Sequence, residues 1–256
     1  MTTSTTYPIK AVRTSFRVIE ALKQLDGAGV SEVAEHLDIP DSTAHDHLQT
    51  LERSAYLLKD ADDTYRLSAR FLEFGGYARS RMGLYTIAKP ELDDLAHKTG
   101  EISNLMIEEH GQGIFLAVAK GESAVEIEPV HHTGMRVYLQ TTALGKSILA
   151  HLPEERIEQI LDAHGLPEIT NTSITDRDEL FDELDEIRDR GYAIDNEERV
   201  EGMRCVAAPI TTSAGVIGAI SVSGPTKRMQ GDRFDTELPE RIFRSANVIQ
   251  VTMEHQ

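Results

Sequence analysis

Three groupings place side chains capable of chemistry at meaningful spacing. In Ser42-Thr43-Ala44-His45-Asp46-His47-Leu48-Gln49, short hydroxyls, an imidazole and an amide are the groups that read base edges in a DNA major groove. His45, Asp46 and His47 also have the composition of a metal site. On a helix, residues i and i+2 point to different sides, so the two imidazoles cannot close on one ion. A second grouping, Cys205 with His131 or His132 and Asp195, has the types of a nucleophile, base and orienter. Cys205, however, opens the apolar run Cys-Val-Ala-Ala, which reads as buried packing, and His131-His132 reads as a loop pair. The third grouping is Ser221-Val222-Ser223: on a strand these serines share a face, so both hydroxyls can address one small molecule. The expectation is a binding protein, not an enzyme, with no cofactor or metal.

The elements around the first grouping form a helix-turn-helix. Ser31 reads as an N-cap, and Val33, Ala34 and Leu37 follow on one helical face. Pro40 ends that helix, because the residue before a proline avoids the α region. A second helix opens on Asp41 or Ser42 and turns Ala44, Leu48 and Leu51 inward. This leaves Ser42, Thr43, His45, Asp46 and Gln49 on the face that suits a groove. Tyr56 to Lys59 and Tyr65 to Leu67, around an Asp-rich turn, read as a β-hairpin, which separates a winged helix-turn-helix from an ordinary helix pair. Arg13 and Arg17 on the preceding helix, Arg53 at the end of the second, and Lys59 and Arg66 in the hairpin are candidate phosphate contacts.

At 256 residues and 40% hydrophobic content the chain has room for two packed domains. No run approaches the ~20 apolar residues of a membrane span, and the polar start from Met1 to Thr6 is not a signal sequence. A cytoplasmic protein is expected. The single cysteine excludes an intramolecular disulfide. The net charge of −17 is unevenly spread: residues 1–70 hold 11 acids and 8 Lys or Arg, leaving −14 on the other 186 residues. Such acidity opposes nucleic-acid binding in dilute buffer. At about 1 M salt the Debye length is only ~3 Å, and distant repulsion is screened. Arginine outnumbering lysine fits the same setting, so the expected source is a halophilic archaeon.

Along the chain, Lys10 to Leu25 is amphipathic, with Val12, Phe16, Ile19 and Leu22 on one side, and Asp26-Gly27-Ala28-Gly29 ends it. Residues 1–68 are the expected DNA-binding domain. Residues 69–84 form a linker helix with a weak point at Gly75-Gly76 and apolar residues suited to dimerisation. Residues 85–256 are a second, α/β domain. There, helices are expected at 89–98, 142–151, 154–163, 176–190 and 237–253, and strands at 103–108, 114–119, 124–130, 137–139, 192–195, 205–211 and 216–223. A hairpin through Glu109-His110-Gly111-Gln112-Gly113 joins the first two strands. The amides of Leu144 to Ser147, at the start of a helix, suit an anionic group.

Several ordered words across both domains resemble the IclR family of transcription regulators. They are Ile39-Pro-Asp-Ser-Thr-Ala-His45, Leu51, Tyr56-Leu57 and Tyr65-Arg66-Leu67 in the first domain. In the second they are Ala143-Leu-Gly-Lys146, Arg190-Gly-Tyr-Ala-Ile-Asp195, Glu197-Glu198, Gly202-Met-Arg-Cys-Val-Ala-Ala-Pro209 and Ile220-Ser-Val-Ser-Gly-Pro225. The resemblance implies an α+β fold: an N-terminal winged helix-turn-helix, a linker helix and a GAF-like effector domain. It also implies an effector pocket at Ala143, Leu144, Asp195, Met203, Cys205, Ser221 and Ser223, for a small organic acid or sugar-derived metabolite. Double-stranded operator DNA and a second copy of the chain, as a homodimer or dimer of dimers, are the implied partners. The chain departs from the family at Asp41 and Asp46, where basic residues are usual. The expected function is ligand-responsive control of a catabolic operon, set against a sensing or interaction module that does not bind DNA.

Overall fold

The computed structural model describes residues 7–125 and 132–255, in two compact units that divide between Ala78 and Arg79.

In the first unit, α1 (Lys10–Gln24), α2 (Val30–Leu37) and α3 (Asp41–Arg53) pack around Val18, Leu22, Val33, Ala44, Leu48 and Leu57. Each large member contributes roughly 1.5–3 kcal/mol of burial. Only the second half of α1 joins this core. Val12 and Phe16, expected on its buried side, are 50% and 61% exposed, because the apolar stripe outruns the short helices beneath it. Two expected caps also move. Gly29, not Ser31, precedes α2, and its N–H donates to Glu32 Oε2 at 2.8 Å. Pro40, not Asp41 or Ser42, precedes α3, and its carbonyl accepts from Thr43 and Ala44. The wing is β1 (Leu57–Lys59) paired with β2 (Tyr65–Leu67). Reciprocal backbone bonds between Ala28 and Tyr65 pin it to the helices. α4 (Arg70–Ser80) runs unbroken through Gly75-Gly76, and the expected weak point lies instead at Arg81-Met82, between α4 and α5. No α4 residue is buried, and Leu72, Phe74 and Tyr77 are exposed.

The second unit is built on one antiparallel sheet ordered β5-β4-β3-β8-β7-β6. Its strands are β3 (Ile102–Glu109), β4 (Gln112–Lys120), β5 (Arg136–Val137), β6 (Ala193–Asn196), β7 (Met203–Thr212) and β8 (Gly215–Pro225). Period-two alternation sends Val206, Ala208, Ile210, Ile220 and Val222 toward α5 (Gly83–Thr99) and α9 (Leu238–Glu254). Cys205, Ala207 and Ala219 face α6 (Ala143–Leu149), α7 (Glu154–His164) and α8 (Arg177–Arg190). The β3–β4 connection is tighter than expected. Only His110 and Gly111 lie between the paired Glu109 and Gln112, and both have positive φ (55° and 82°), as a type I′ turn requires. The helix expected at 89–98 extends back to Gly83. The expected strand at 137–139 ends at Val137, and a 3-10 turn, Leu139–Thr141, follows. Of the strand expected at 124–130, residues 124 and 125 are not extended pairs; residues 126–130, and His131, lie outside the described residues.

Candidate functional sites: a recognition helix and a polar cavity

α3 exposes Ser42, His45 and Asp46 to solvent and Gln49 and Thr43 in part, while Ala44 and Leu48 are buried. The exposed face also carries Arg53 and Thr50, a residue the sequence does not single out, whose hydroxyl donates to the Asp46 carbonyl at 2.7 Å. His47 turns away to Ser15 Oγ at 2.9 Å, whereas His45 stands beside Asp46, so the imidazoles diverge. The candidate cations are mostly engaged. Arg17 donates to the Leu37 carbonyl at 2.9 Å, closing the end of α2, and Arg13 lies 4.3 Å over the Tyr7 ring. Lys59 pairs with Asp63 at 2.6 Å and Arg66 with Asp60 at 2.8 Å, both across the wing. The Asp63 carboxylate holds Lys59 above the ordinary lysine range.

In the second unit the sheet register gathers polar side chains on the face toward α6. Asn104 of β3 lies opposite Ser221 of β8, Cys205 of β7 opposite Ser223, and Asp195 of β6 opposite Cys205. A small cavity of about 30 Å³ opens over this row; Asn104, Asp195, Cys205 and Ser223 line it, with Leu144 and Met203. Of the expected effector residues, Ala143 is buried in the α6 core, and Ser221 accepts from Asn104 Nδ2 at 3.3 Å without lining the cavity. The expected run of free amides at the start of α6 is partly consumed. Thr142 accepts Gly145 N–H through its hydroxyl and Lys146 N–H through its carbonyl, each at 2.9 Å. Asn104, Arg199 and Thr142, all lining the cavity, were invisible in the sequence. Asn104 joins this row only through the long-range pairing of β3 with β8.

Burial governs the electrostatics. It pushes Asp195 up to about 7, with Glu198 adding to the rise and Lys146 opposing it. The same burial pushes the Cys205 thiol up to about 12, the reverse of what an activated nucleophile needs. Behind the cavity, fully buried Lys146 donates to Glu198 at 2.7 Å and Glu183 at 3.3 Å. Glu198 returns its N–H to Asp195 Oδ1 at 2.8 Å, linking the buried pair to the cavity wall. Gly145 is required here, since a Cβ would stand 2.1 Å from the Leu139 carbonyl oxygen.

A winged helix-turn-helix with an open second helix, followed by a helix-flanked sheet, defines a DNA-binding transcriptional regulator with an effector domain. Residues 11–61 match the IclR helix-turn-helix domain, and residues 77–251 the bacterial transcriptional regulator IclR C-terminal region. The chain belongs to the IclR family. It is 36% identical to the probable HTH-type transcriptional regulator ArcR of Halobacterium salinarum, over 96% of this chain and 94% of that one. The crystal structure of the Thermotoga maritima IclR superposes with a TM-score of 0.75 at 30% identity, covering 95% of this chain and 98% of that one. An IclR homologue from Microbacterium hydrocarbonoxydans, crystallised with 4-hydroxybenzoate, shares the fold with a TM-score of 0.80 at 22% identity, over 96% and 100% of the two chains. These relatives are regulators, and the chain is a regulator rather than an enzyme. No helix among the described residues is long and apolar enough to cross a membrane.

Proposed function

We propose that the chain is a ligand-responsive, sequence-specific regulator of a catabolic operon, working as a homodimer or dimer of dimers in the cytoplasm of a halophile. The observation that carries this reading is the row Asn104, Ser223, Cys205 and Asp195 along one cavity. Sheet interiors bury polar groups at a cost unless they are paired, so four on one sheet face point to a bound polar ligand. A GAF-like effector domain taking a small organic acid or sugar-derived metabolite fits that row, and the 4-hydroxybenzoate held by the Microbacterium protein is itself a small organic acid. Ser42, Thr43, His45, Asp46 and Gln49 face the groove, while Arg13, Arg17, Arg53, Lys59 and Arg66 meet phosphates. Leu144, Asp195, Met203, Cys205 and Ser223 contact the effector, with Ala143 and Ser221 supporting them.

Effector binding shifts the balance between two arrangements of the paired winged helices through α4, by no more than its differential affinity for the two states. The exposed Leu72, Phe74 and Tyr77 of α4 supply apolar surface for the second copy. Support for the saline setting comes from the net charge of −17 and from the Halobacterium relative. The experiment is selection of bound genomic fragments in molar potassium chloride, followed by footprinting with Ser42→Ala, His45→Ala and Gln49→Ala. Loss or alteration of the protected site supports the reading. An unchanged footprint in all three variants overturns the assigned groove face. Operator affinity that survives only in dilute buffer overturns the halophilic setting.

A further inference from the structure

Among the described residues, the cavity lining carries polar atoms of opposite kind without partners, acceptor and donor alike. Asn104 is 1% exposed and donates through Nδ2 to Ser223 Oγ at 2.8 Å and Ser221 Oγ at 3.3 Å. That orientation leaves its Oδ1 buried without a hydrogen-bond partner. A buried acceptor is costly to leave unmet, and this one belongs to a side chain lining the cavity. On the same lining, Arg199 has no carboxylate within ion-pair reach among the described residues. Among the described residues one of its terminal nitrogens meets the Met135 sulfur, at 3.5 Å, and its Nε has no partner. Burial of that guanidinium lowers its pKa, with Asp195 opposing the shift; a bound anion would restore the charge balance.

We propose that the cavity selects a 2-hydroxy acid, whose carboxylate accepts from Arg199 and whose hydroxyl donates to Asn104 Oδ1, over the 2-keto acid of the same skeleton. This rests on the cavity being the effector site. A ketone brings only lone pairs. With the Ser221 and Ser223 hydroxyls turned to the Cys205 sulfur, their oxygens hold the Asn104 amide in this orientation, so a ketone leaves Oδ1 unmet and sets a second acceptor against it; a site built to pair a hydroxyl rejects the analogue lacking one. An ammonium in the same place brings a donor but also a charge. Asp195, whose burial raises its pKa to about 7, is only partly ionised at neutral pH and offers that charge no full counter-ion.

The test compares three probes of one skeleton, lactate, pyruvate and alanine, together with the six-carbon pair gluconate and 2-oxogluconate. Binding is measured by calorimetry and thermal shift on the full chain in molar potassium chloride. The hydroxy acid of at least one set binds 10-fold or more tighter than its keto and amino counterparts. Asn104→Leu brings the hydroxy-to-keto ratio to within about threefold, and Arg199→Gln weakens all acids by a similar factor. A keto acid or alanine binding tightest to the wild type overturns the proposal. So does an unchanged ratio in Asn104→Leu, with circular dichroism confirming that the variant is folded. Met203→Trp, which fills the cavity, separates the two levels of the argument. If it abolishes binding of whichever acid the wild type prefers, the effector site stands even where the hydroxyl preference fails. If acids bind it unchanged, or none binds the wild type, both the proposal and the effector-site reading fall.

Discussion

The two units use the same polar residue types in opposite directions. On α3, Ser42, His45, Asp46 and Gln49 project from a helix whose buried positions are apolar. In the second unit, Asn104, Asp195, Ser221 and Ser223 project inward from a sheet and are nine-tenths buried or more. The first arrangement costs the fold little, because water satisfies each group until a partner displaces it. The second takes polar atoms out of water permanently and must be balanced by a network such as Thr142, Lys146 and Glu198. A surface site therefore tolerates substitution for stability's sake but not for binding, whereas an interior site is sensitive in both.

That contrast can be broken most forcefully at Lys146. Lys146→Met leaves the buried Glu198 without its cation, while Glu183 keeps Arg190 at 2.9 Å, and should cost about 3–5 kcal/mol, read by denaturant unfolding. A loss below 1 kcal/mol would show that the interior network is not needed for stability. Asp195 comes next. Its folded pKa of about 7 lies above the unfolded value of about 3.9, so the folded state binds the proton more tightly. This carboxyl makes its best contribution below pH 4 and loses it as the pH rises to about 7, by a few kcal/mol in all. Asp195→Asn should therefore gain stability relative to wild type across that window and stay level above it; a difference independent of pH would contradict the burial argument.

On the outward-facing side, Gln49→Ala should leave the melting temperature within about a degree or two while weakening operator binding by roughly 1–3 kcal/mol, the worth of a base-edge contact. Gel shifts at fixed salt would measure this, and a fall in stability matching the fall in affinity would erase the distinction between the units. The smallest effects lie at the caps. Asp176 accepts from the N–H groups of Asp178 and Glu179 at the start of α8, and Asp176→Ala should cost about 1 kcal/mol. Ser31→Ala should cost only a few tenths, because its hydroxyl bonds the exposed Asp41 rather than a helix end. Thermal unfolding of the two variants side by side decides between them.

Legibility followed the same division. Helical periodicity is local, so α2, α3 and the hairpin that follows them could be read directly from Val33, Leu37, Ala44, Leu48 and the Asp-rich turn. What local pattern does not carry is depth. Val12 and Phe16 satisfy the periodicity of α1 yet lie beyond the reach of its neighbours, and Ser31 resembles a cap although Gly29 holds that position. In the second unit, Ser221 and Ser223 were legible as a shared face because two residues on one strand suffice to show it. Asn104 was not, since its meaning depends on β3 lying against β8, a pairing of residues more than a hundred positions apart. Arg199 likewise reads as one more charge in an acidic chain until the cavity beside it is seen.

The wing carries a consequence of its own. Lys59 and Arg66 each already hold an aspartate, Asp63 and Asp60. A nucleic-acid strand arriving there must evict a tethered carboxylate rather than a loose ion from solution. Dissolved salt competes with both the resident and the newcomer, so part of its influence cancels. A hairpin that brings its own anions is thereby less responsive to changes in brine strength than bare lysines and arginines would be.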